Sequence, residues 1–438
     1  MSVEKITLKD ESAFIKITTY SEAVVRTLHK ELVGGNYNNM KRKLIPIAAL
    51  ALTAGVVVSC GPTGAPVNER PLIFYNRQPS KQDNSVDTKV MNWSDKTFYG
   101  GFNAVAGGDT QGEMIVNYIK EHAAEMDTNK DGTIGYVLAI GQNSHNDSEA
   151  RTRGVRRAFG LEDTAKDTPV SGEGSVKAND GKTYKIKELA VKEMRDPAGP
   201  WSQAVASDTM ATWMNQFSTQ IDLVVSNNDG MAEGMITKFD GRDIPTFGYD
   251  ANTSTLEIIK NGGAIKGTIS QNHHAQVLTI LQLVRNLLDG LTGDEVTTAG
   301  FTKADATGNQ IKSATVNYKA DAKAMLAENG IVTKDNVAGI LEDKLDEGVT
   351  KTTSAAKAKI LWTVYSSTDN FLNQSFVPTV KKYQKFFNYD ITWVFGDGTQ
   401  ESSITNNFTN LDNYDAYVVN MVETGSGALY QKILDQNS

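Results

Sequence analysis

Short apolar runs recur along the chain, separated by stretches with helical spacing. Pro71-Leu72-Ile73-Phe74-Tyr75 ends on Asn76 and reads as a buried strand. Similar runs fall at 136–140, 223–225, 245–249, 265–269, 360–365, 391–395 and 417–421. Between them Met114-Ile115-Tyr118-Ile119, the stretch 205–217, and Val277-Ile280-Leu281-Val284-Leu287-Leu288 step by three and four, as in a helix with one apolar face. Strands alternating with helices predict an α/β fold whose parallel sheet is covered on both faces. Several runs end in polar residues: Asn76; Ser226-Asn227-Asn228-Asp229; Asp250; Ser270-Gln271-Asn272; Ser366-Ser367-Thr368-Asp369. Ligands of open α/β sheets sit beyond the carboxyl ends of the strands. The same residue types also cap helices; five such ends together mark a ligand-holding edge.

Composition narrows the picture. Of 438 residues, 39% are hydrophobic and 22% charged, which excludes a disordered chain. A net charge of −8 lacks the basic footprint of a general nucleic-acid binder and argues against adhesion to acidic lipid. The lone cysteine, Cys60, rules out an internal disulfide framework and Cys-rich metal clusters. It closes a targeting pattern at 40–60: Met40-Lys41-Arg42-Lys43, an apolar run at 44–58, then Ser59-Cys60. The run is too short to span a membrane and has the order of an export signal. Val57-Val58-Ser59-Cys60 resembles the lipobox of bacterial lipoproteins, implying a lipid-modified Cys60, a tether at 61–70 and a periplasmic, membrane-anchored location. An ordinary apolar helix with a chance cysteine is the alternative. Residues 1–39 read as an upstream extension from a mis-assigned start, with a weak helical pattern at Phe14, Ile17, Val24, Leu28 and Leu32.

Asp127-Thr128-Asn129-Lys130-Asp131-Gly132-Thr133 has oxygen donors at positions 1, 3 and 5 and glycine at 6, like the first half of a calcium loop. Position 12 is Leu138, inside a strand run, so a closing carboxylate must come from elsewhere. The alternative is a solvated Asx turn.

Several segments resemble the periplasmic galactose/glucose-binding proteins that feed sugar ABC transporters: Pro71 through Ser80, the Asp127 loop, His145-Asn146-Asp147-Ser148-Glu149-Ala150-Arg151-Thr152, Val225-Ser226-Asn227-Asn228-Asp229, and Pro245-Thr246-Phe247-Gly248-Tyr249-Asp250. The family's opening strand and ligand loop find their match late, in Ile360-Leu361-Trp362-Thr363-Val364-Tyr365 and Asp369-Asn370-Phe371. Asn420-Met421-Val422 and a helix at 430–434 resemble what normally precedes the Phe-Tyr-Asn strand. The resemblance therefore implies a circularly permuted type I periplasmic binding protein fold, two Rossmann-like lobes joined by three crossover segments near Gly101, Gln271 and Val332. One lobe would combine 71–101, 272–331 and 359–438; the other 102–271 and 332–342, with 343–358 as the linker joining the old ends.

A hexose needs aromatic plates for its C–H faces and bidentate polar groups for its hydroxyl edge. The resemblance implies that Asp369 accepts from the far-end hydroxyls, that Phe371 and Trp201 stack from opposite lobes, and that Asn76, His145, Asp147, Arg151, Asn228, Asp250 and Gln271 line the edge. Gln271 stands where the family more often has Asn. Read singly, Arg151 pairs with Glu149 on a surface, His145 is a loop residue, and Trp201 and Phe371 are ordinary buried aromatics; Trp362, alternating with Ile360 and Val364, belongs to the core. The resemblance also implies a structural Ca2+ held by Asp127, Asn129, Asp131, Thr133 and Asp222, although Gly135 removes one side-chain ligand. The function implied is a lipid-anchored receptor that captures D-glucose or D-galactose for an ABC permease, without catalysis. A chemoreceptor ligand-binding role is the alternative. An enzyme pairing His145 with Asp147, or Asp369 with Asp250, lacks any accompanying nucleophile, Walker or dinucleotide motif.

Overall fold

The computed structural model describes residues 69–81, 85–197, 199–301, 316–341, 356–367, 369–399, 410–423 and 425–427. Residues 1–60 with Cys60, most of the 61–70 tether, linker residues 343–355 and the 430–434 helix lie outside them. The described strands are β1 (Leu72–Tyr75), β2 (Thr97–Phe102), β3 (Thr133–Ile140), β4 (Gly174–Lys177), β5 (Thr183–Glu193), β6 (Leu223–Ser226), β7 (Thr246–Phe247), β8 (Ile265–Ser270), β9 (Val316–Lys319), β10 (Ala324–Ala327), β11 (Gly330–Thr333), β12 (Ala358–Val364), β13 (Tyr389–Phe395) and β14 (Ala416–Asn420). The longer helices are α1 (Ala104–Met126), α2 (Asn146–Ala158), α3 (Gln203–Phe217), α4 (Asp229–Ile236), α5 (Thr253–Lys260), α6 (His273–Leu288) and α7 (Val377–Tyr383). Among the described residues no helix is long and apolar enough to cross a membrane.

Two seven-stranded sheets form, in the orders β13-β12-β14-β1-β2-β10-β9 and β11-β8-β7-β6-β3-β5-β4. Neighbours run parallel except β10 with β9, β11 with β8, and β4 with β5. In the first sheet β14 lies directly beside β1, with Tyr417 opposite Leu72 and Asn420 opposite Tyr75.

The continuous apolar runs have a physical reason: these strands are covered on both faces. Ile73, Tyr75 and Trp362 pack with Val277, Leu281 and Val284 of α6 and with Val380 and Tyr383 of α7. Leu72 and Phe74, on the opposite face, pack with Met91, Leu361, Tyr417 and Val419. In β3, Tyr136 and Leu138 meet Ile115 and Ile119 of α1, whereas Val137 and Ala139 meet Met210 and Trp213 of α3. Between α1 and α2 the backbones nearly touch, since a Cβ on Gly154 would lie 2.2 Å from the Gly108 carbonyl carbon.

Among the described residues the chain passes between sheets at three places: Asn103, between β2 and α1; Gln271-Asn272, between β8 and α6; and Glu328-Asn329, between β10 and β11; the return from β11 to β12 includes residues 342–355, outside the described ones. The third falls ahead of the expected Val332, which lies inside β11 and is paired to Thr268, so hydrogen bonding along β8 fixes it in the second sheet. Asn329 ties two crossings together, its amide nitrogen donating to the Asn103 carbonyl at 3.3 Å. The 245–249 run is strand only at Thr246–Phe247, where pairing with β8 shifts register; Asp250, at φ 121°, bridges to Ser270, and Ala251 follows at φ 57°.

Candidate functional site

The β3–α2 corner supplies the densest group of polar side chains. His145 caps α2, its Nδ1 accepting the Ser148 N–H at 3.4 Å, which is why a polar residue rather than a helix former begins this turn. One helical turn apart, Asp147 and Arg151 face each other, with Nη2 to Oδ2 at 3.1 Å. Arg151 also donates from Nη1 to the Asn227 carbonyl at 2.6 Å and lies flat on the Tyr249 ring, 3.6 Å from its centroid. Trp201, half-buried at φ 65°, packs edge-on against His145 at 5.0 Å and 5.8 Å from the Arg151 guanidinium. Its ring covers Gly141 so closely that a Cβ there would be 2.0 Å from it.

The other strand ends of the second sheet contribute Asn228, Asp250 and Gln271. Asn228 caps α4, its Oδ1 accepting from Met231 N–H at 2.9 Å, so that oxygen serves the helix. Asp250 Oδ1 accepts from Gln271 Nε2 at 2.5 Å and lies 3.6 Å from Arg151 Nη1. The longer side chain at 271 thus reaches the carboxylate instead of standing clear of it.

From the first sheet, Asn76 follows β1 at φ 64°, and its Oδ1 accepts from Arg77 Nη1. Arg77, absent from the expected set, reaches Asp147 Oδ2 at 2.7 Å across the lobes. Asp369 accepts the Leu372 N–H at 2.8 Å. Phe371 is 5% exposed and belongs to the core cluster, edge-on to His273 at 6.1 Å and beside Phe376. Gln142 Nε2 donates to Tyr365 Oη at 3.3 Å, and Asn146 Nδ2 to Ser80 Oγ at 2.5 Å, two further bonds between lobes. Arg77, Gln142, Tyr249 and Tyr365 were not singled out from the sequence. For Arg77 a signal existed, its place directly after a strand-end Asn.

Electrostatics bind these groups into one centre. Burial raises the Asp147 carboxyl while Arg77 and Arg151 oppose it, and the Asp369 charge adds to the rise. Burial also raises Asp369, against Leu372 N–H, Arg77 and Arg151, so this loop from far along the chain shares both cations with the β3–α2 corner. Asp250 is raised by burial and opposed by Arg151. Burial, with Arg77 and Arg151 alongside, holds His145 well below the usual imidazole value, hence neutral. Five buried polar atoms here have no hydrogen-bond partner: Arg77 Nε, Gln142 Oε1, Asp147 Oδ1, Arg151 Nε and Gln271 Oε1.

The Asp127 loop lies apart from this centre. Asp127 Oδ1 and Oδ2 accept from the N–H groups of Asp131 and Gly132 at 3.0 and 2.9 Å, and Asp131 Oδ1 accepts from Thr133 N–H. Asn129 Nδ2 lies 3.0 Å from Asp131 Oδ2. Asp222 accepts the Gly135 N–H on Oδ2, while its buried Oδ1 has no partner. Burial pushes this carboxyl up to about 7, and Asp127 and Asp131 add to the rise. A side chain at 135 has no room, since its Cβ would lie 2.1 Å from the Gln220 carbonyl oxygen. No group of three or more His, Cys, Asp or Glu among the described residues is arranged to hold a metal by itself; a cage here needs Asn129 and main-chain oxygens as well. Asn129 and Asp222 also line a recess of about 540 Å³ with Tyr118, His122 and Arg242.

Two largely parallel sheets, three described crossings between them and a polar centre at facing strand ends define a two-lobe binding protein. The chain belongs to the periplasmic binding protein domain family, whose model matches residues 68–292; a second model of that description matches 357–427. The fold is the type I form. Over 235 residues the chain is 29% identical to the D-galactose/methyl-galactoside binding periplasmic protein MglB of Haemophilus influenzae, covering 52% of this chain and 59% of that protein. It is 29% identical over 126 residues to the xylitol-binding protein of Mycolicibacterium smegmatis, covering 28% and 36%. The chain thus spans less than two thirds of the length of these curated relatives. Among solved structures it is similar to a galactofuranose binding protein (15% identity, coverage 63% and 71%, TM-score 0.39) and to a Mycobacterium smegmatis protein in complex with β-D-fucofuranose (13%, 63% and 69%, 0.41).

Proposed function

We propose that the chain is a sugar receptor of an ABC transporter, capturing D-glucose or D-galactose between its lobes and passing it unaltered to a membrane permease. The observation that carries this reading is the set of five partnerless buried donors and acceptors around Asp147 and Arg151, flanked by the Trp201 ring. Each such atom costs about 1–3 kcal/mol when left unpaired, and the hydroxyls of a hexose satisfy donors and acceptors alike. The partial identity to a galactose-binding relative supports the same class.

Within this reading Asp147, held between two arginines, accepts from sugar hydroxyls, neutral His145 donates from Nε2 because its Nδ1 already accepts the Ser148 N–H, Arg151 donates, and Trp201 covers a C–H face. Catalysis would require a free base. Asp147 is instead clamped by Arg77 and Arg151, and His145 spends Nδ1 on its helix. Circular permutation is supported by β14 lying beside β1 and by the late family match at 357–427. The Asp127 loop fits Ca2+ as a structural ion: the partnerless Asp222 Oδ1 has the chemistry of a ligand, with Asp127, Asn129, Asp131 and the Thr133 carbonyl. Export and lipid attachment at Cys60 complete the proposal, resting on the leader alone.

A thermal-shift screen of simple hexoses on the full chain, with recovery of the sugar afterwards, tests the reading. A shift with glucose or galactose and unaltered sugar is expected; no shift with any hexose, or a converted sugar, contradicts it. Loss of hexose uptake in a deletion strain separates permease supply from a purely sensory role.

A further inference from the structure

Behind the polar centre lies a carboxylate that the ligand set does not use. Asp229 is fully buried. Its Oδ2 accepts the Asn252 N–H at 2.8 Å and its Oδ1 the Thr268 hydroxyl at 2.7 Å; Thr268 Oγ1 in turn accepts the Ala251 N–H at 3.3 Å. The Asp229 N–H donates to the Tyr249 carbonyl at 2.8 Å. These four bonds enclose residues 249–252. Inside them Asp250 and Ala251 hold φ of 121° and 57°, two consecutive non-glycine residues in the region that L side chains disfavour. Such backbone persists only where its surroundings over-determine it. The fit leaves no slack: a Cβ on Gly248 would come 2.1 Å from Asp229 Oδ1. Asp250, on this turn, is the residue that meets Gln271 and Arg151.

We propose that Asp229, acting with Thr268, is a positioning residue that clamps the 249–252 turn in its positive-φ form and so aims the Asp250 carboxylate at the bound sugar. The proposal rests on the hexose-receptor reading. It explains why a buried carboxylate sits where an alanine would fill the helix turn as well. Its role is to act through Asp250, so it affects affinity rather than chemistry at the ligand.

The test uses full-length Asp229→Ala and Thr268→Val, each alone and combined with Ala251→Gly, which removes the steric cost of φ 57°. Calorimetry with D-galactose and D-glucose is expected to show affinity reduced roughly tenfold or more in the single variants. Part of that loss should return in the Ala251→Gly combinations, while Ala251→Gly alone binds like wild type. Affinity within twofold of wild type, with only a lowered melting temperature, overturns the clamp and leaves Asp229 a structural residue. Amide hydrogen exchange at 250–252 without sugar separates this proposal from the receptor reading. If the wild-type chain binds no hexose, the receptor reading fails and the exchange still reads the turn: faster exchange in Asp229→Ala shows that Asp229 holds 250–252, and unchanged exchange overturns the clamp. Should Asp229→Ala fail to fold, Thr268→Val, which keeps the volume, gives the same readings.

Discussion

Replacing Arg151 by Lys keeps the charge and removes the plane. The guanidinium serves the Asn227 carbonyl at 2.6 Å, Asp147 at 3.1 Å, and the Tyr249 face at 3.6 Å from its centroid. An ammonium cannot hold carbonyl and carboxylate in one fork, nor lie flat on the ring. Losing one charge-assisted hydrogen bond costs about 1.5–3 kcal/mol, and losing the stacking about 0.5–2 kcal/mol. Part of that total appears as a lowered melting temperature of the ligand-free chain. The rest appears as affinity for D-galactose or D-glucose weakened about 10- to 100-fold. Titration calorimetry and melting curves on Arg151→Lys read both. Affinities within twofold of wild type together with an unchanged melt would show that neither ligand nor lobe depends on the fork, and would refute the reasoning.

Trp201→Ala removes a half-buried plate worth about 2–3 kcal/mol to a stacked ring, so hexose affinity should fall roughly 30- to 150-fold with the ligand-free melt little changed; near-native affinity in calorimetry counts against the site. Gly154→Ala pushes a methyl into the Gly108 backbone at 2.2 Å, so a loss of about 1–3 kcal/mol of stability should accompany weaker binding, since α2 carries Asp147 and Arg151; an unchanged chemical-denaturation midpoint contradicts the contact. Asp222 is raised from 3.8 to about 7 in the fold. Its contribution to stability is present below pH 4 and lost as pH rises towards 7, at up to about 1.4 kcal/mol per pH unit. In chelator the melting temperature should therefore fall across that window, and added calcium should restore it above pH 7. Asp222→Asn should abolish both effects; a calcium response that survives this change assigns the ion elsewhere.

The legible parts of the chain were those where burial is two-sided. β1, β12 and β14 read directly because both faces are covered, leaving no polar alternation to confuse strand with loop. β5 escaped notice for the opposite reason: exposed Thr183, Lys185 and Lys187 alternate with buried Tyr184, Ile186 and Glu188, so no continuous apolar run marks it. β2 was obscured by Gly100-Gly101, which are in the strand because Ile280 and Tyr99 leave no room for side chains there. At the site, strand-end polar residues were visible because parallel strands deliver their ends to one edge. Arg77 and Tyr365 were not, because their partners Asp147 and Gln142 lie on the other lobe, 70 and 223 positions away in sequence; the strand-end Asn before Arg77 marks its place but not its partner.

The central claim is that the polar centre around Asp147 and Arg151 is completed by a hexose. Calorimetric titration of the full chain with D-glucose and D-galactose, beside the Asp147→Ala variant, measures this directly. Saturable one-to-one binding of at least one sugar that disappears in the variant is predicted. A folded wild-type chain that binds neither, or a variant that binds as well as wild type, contradicts it.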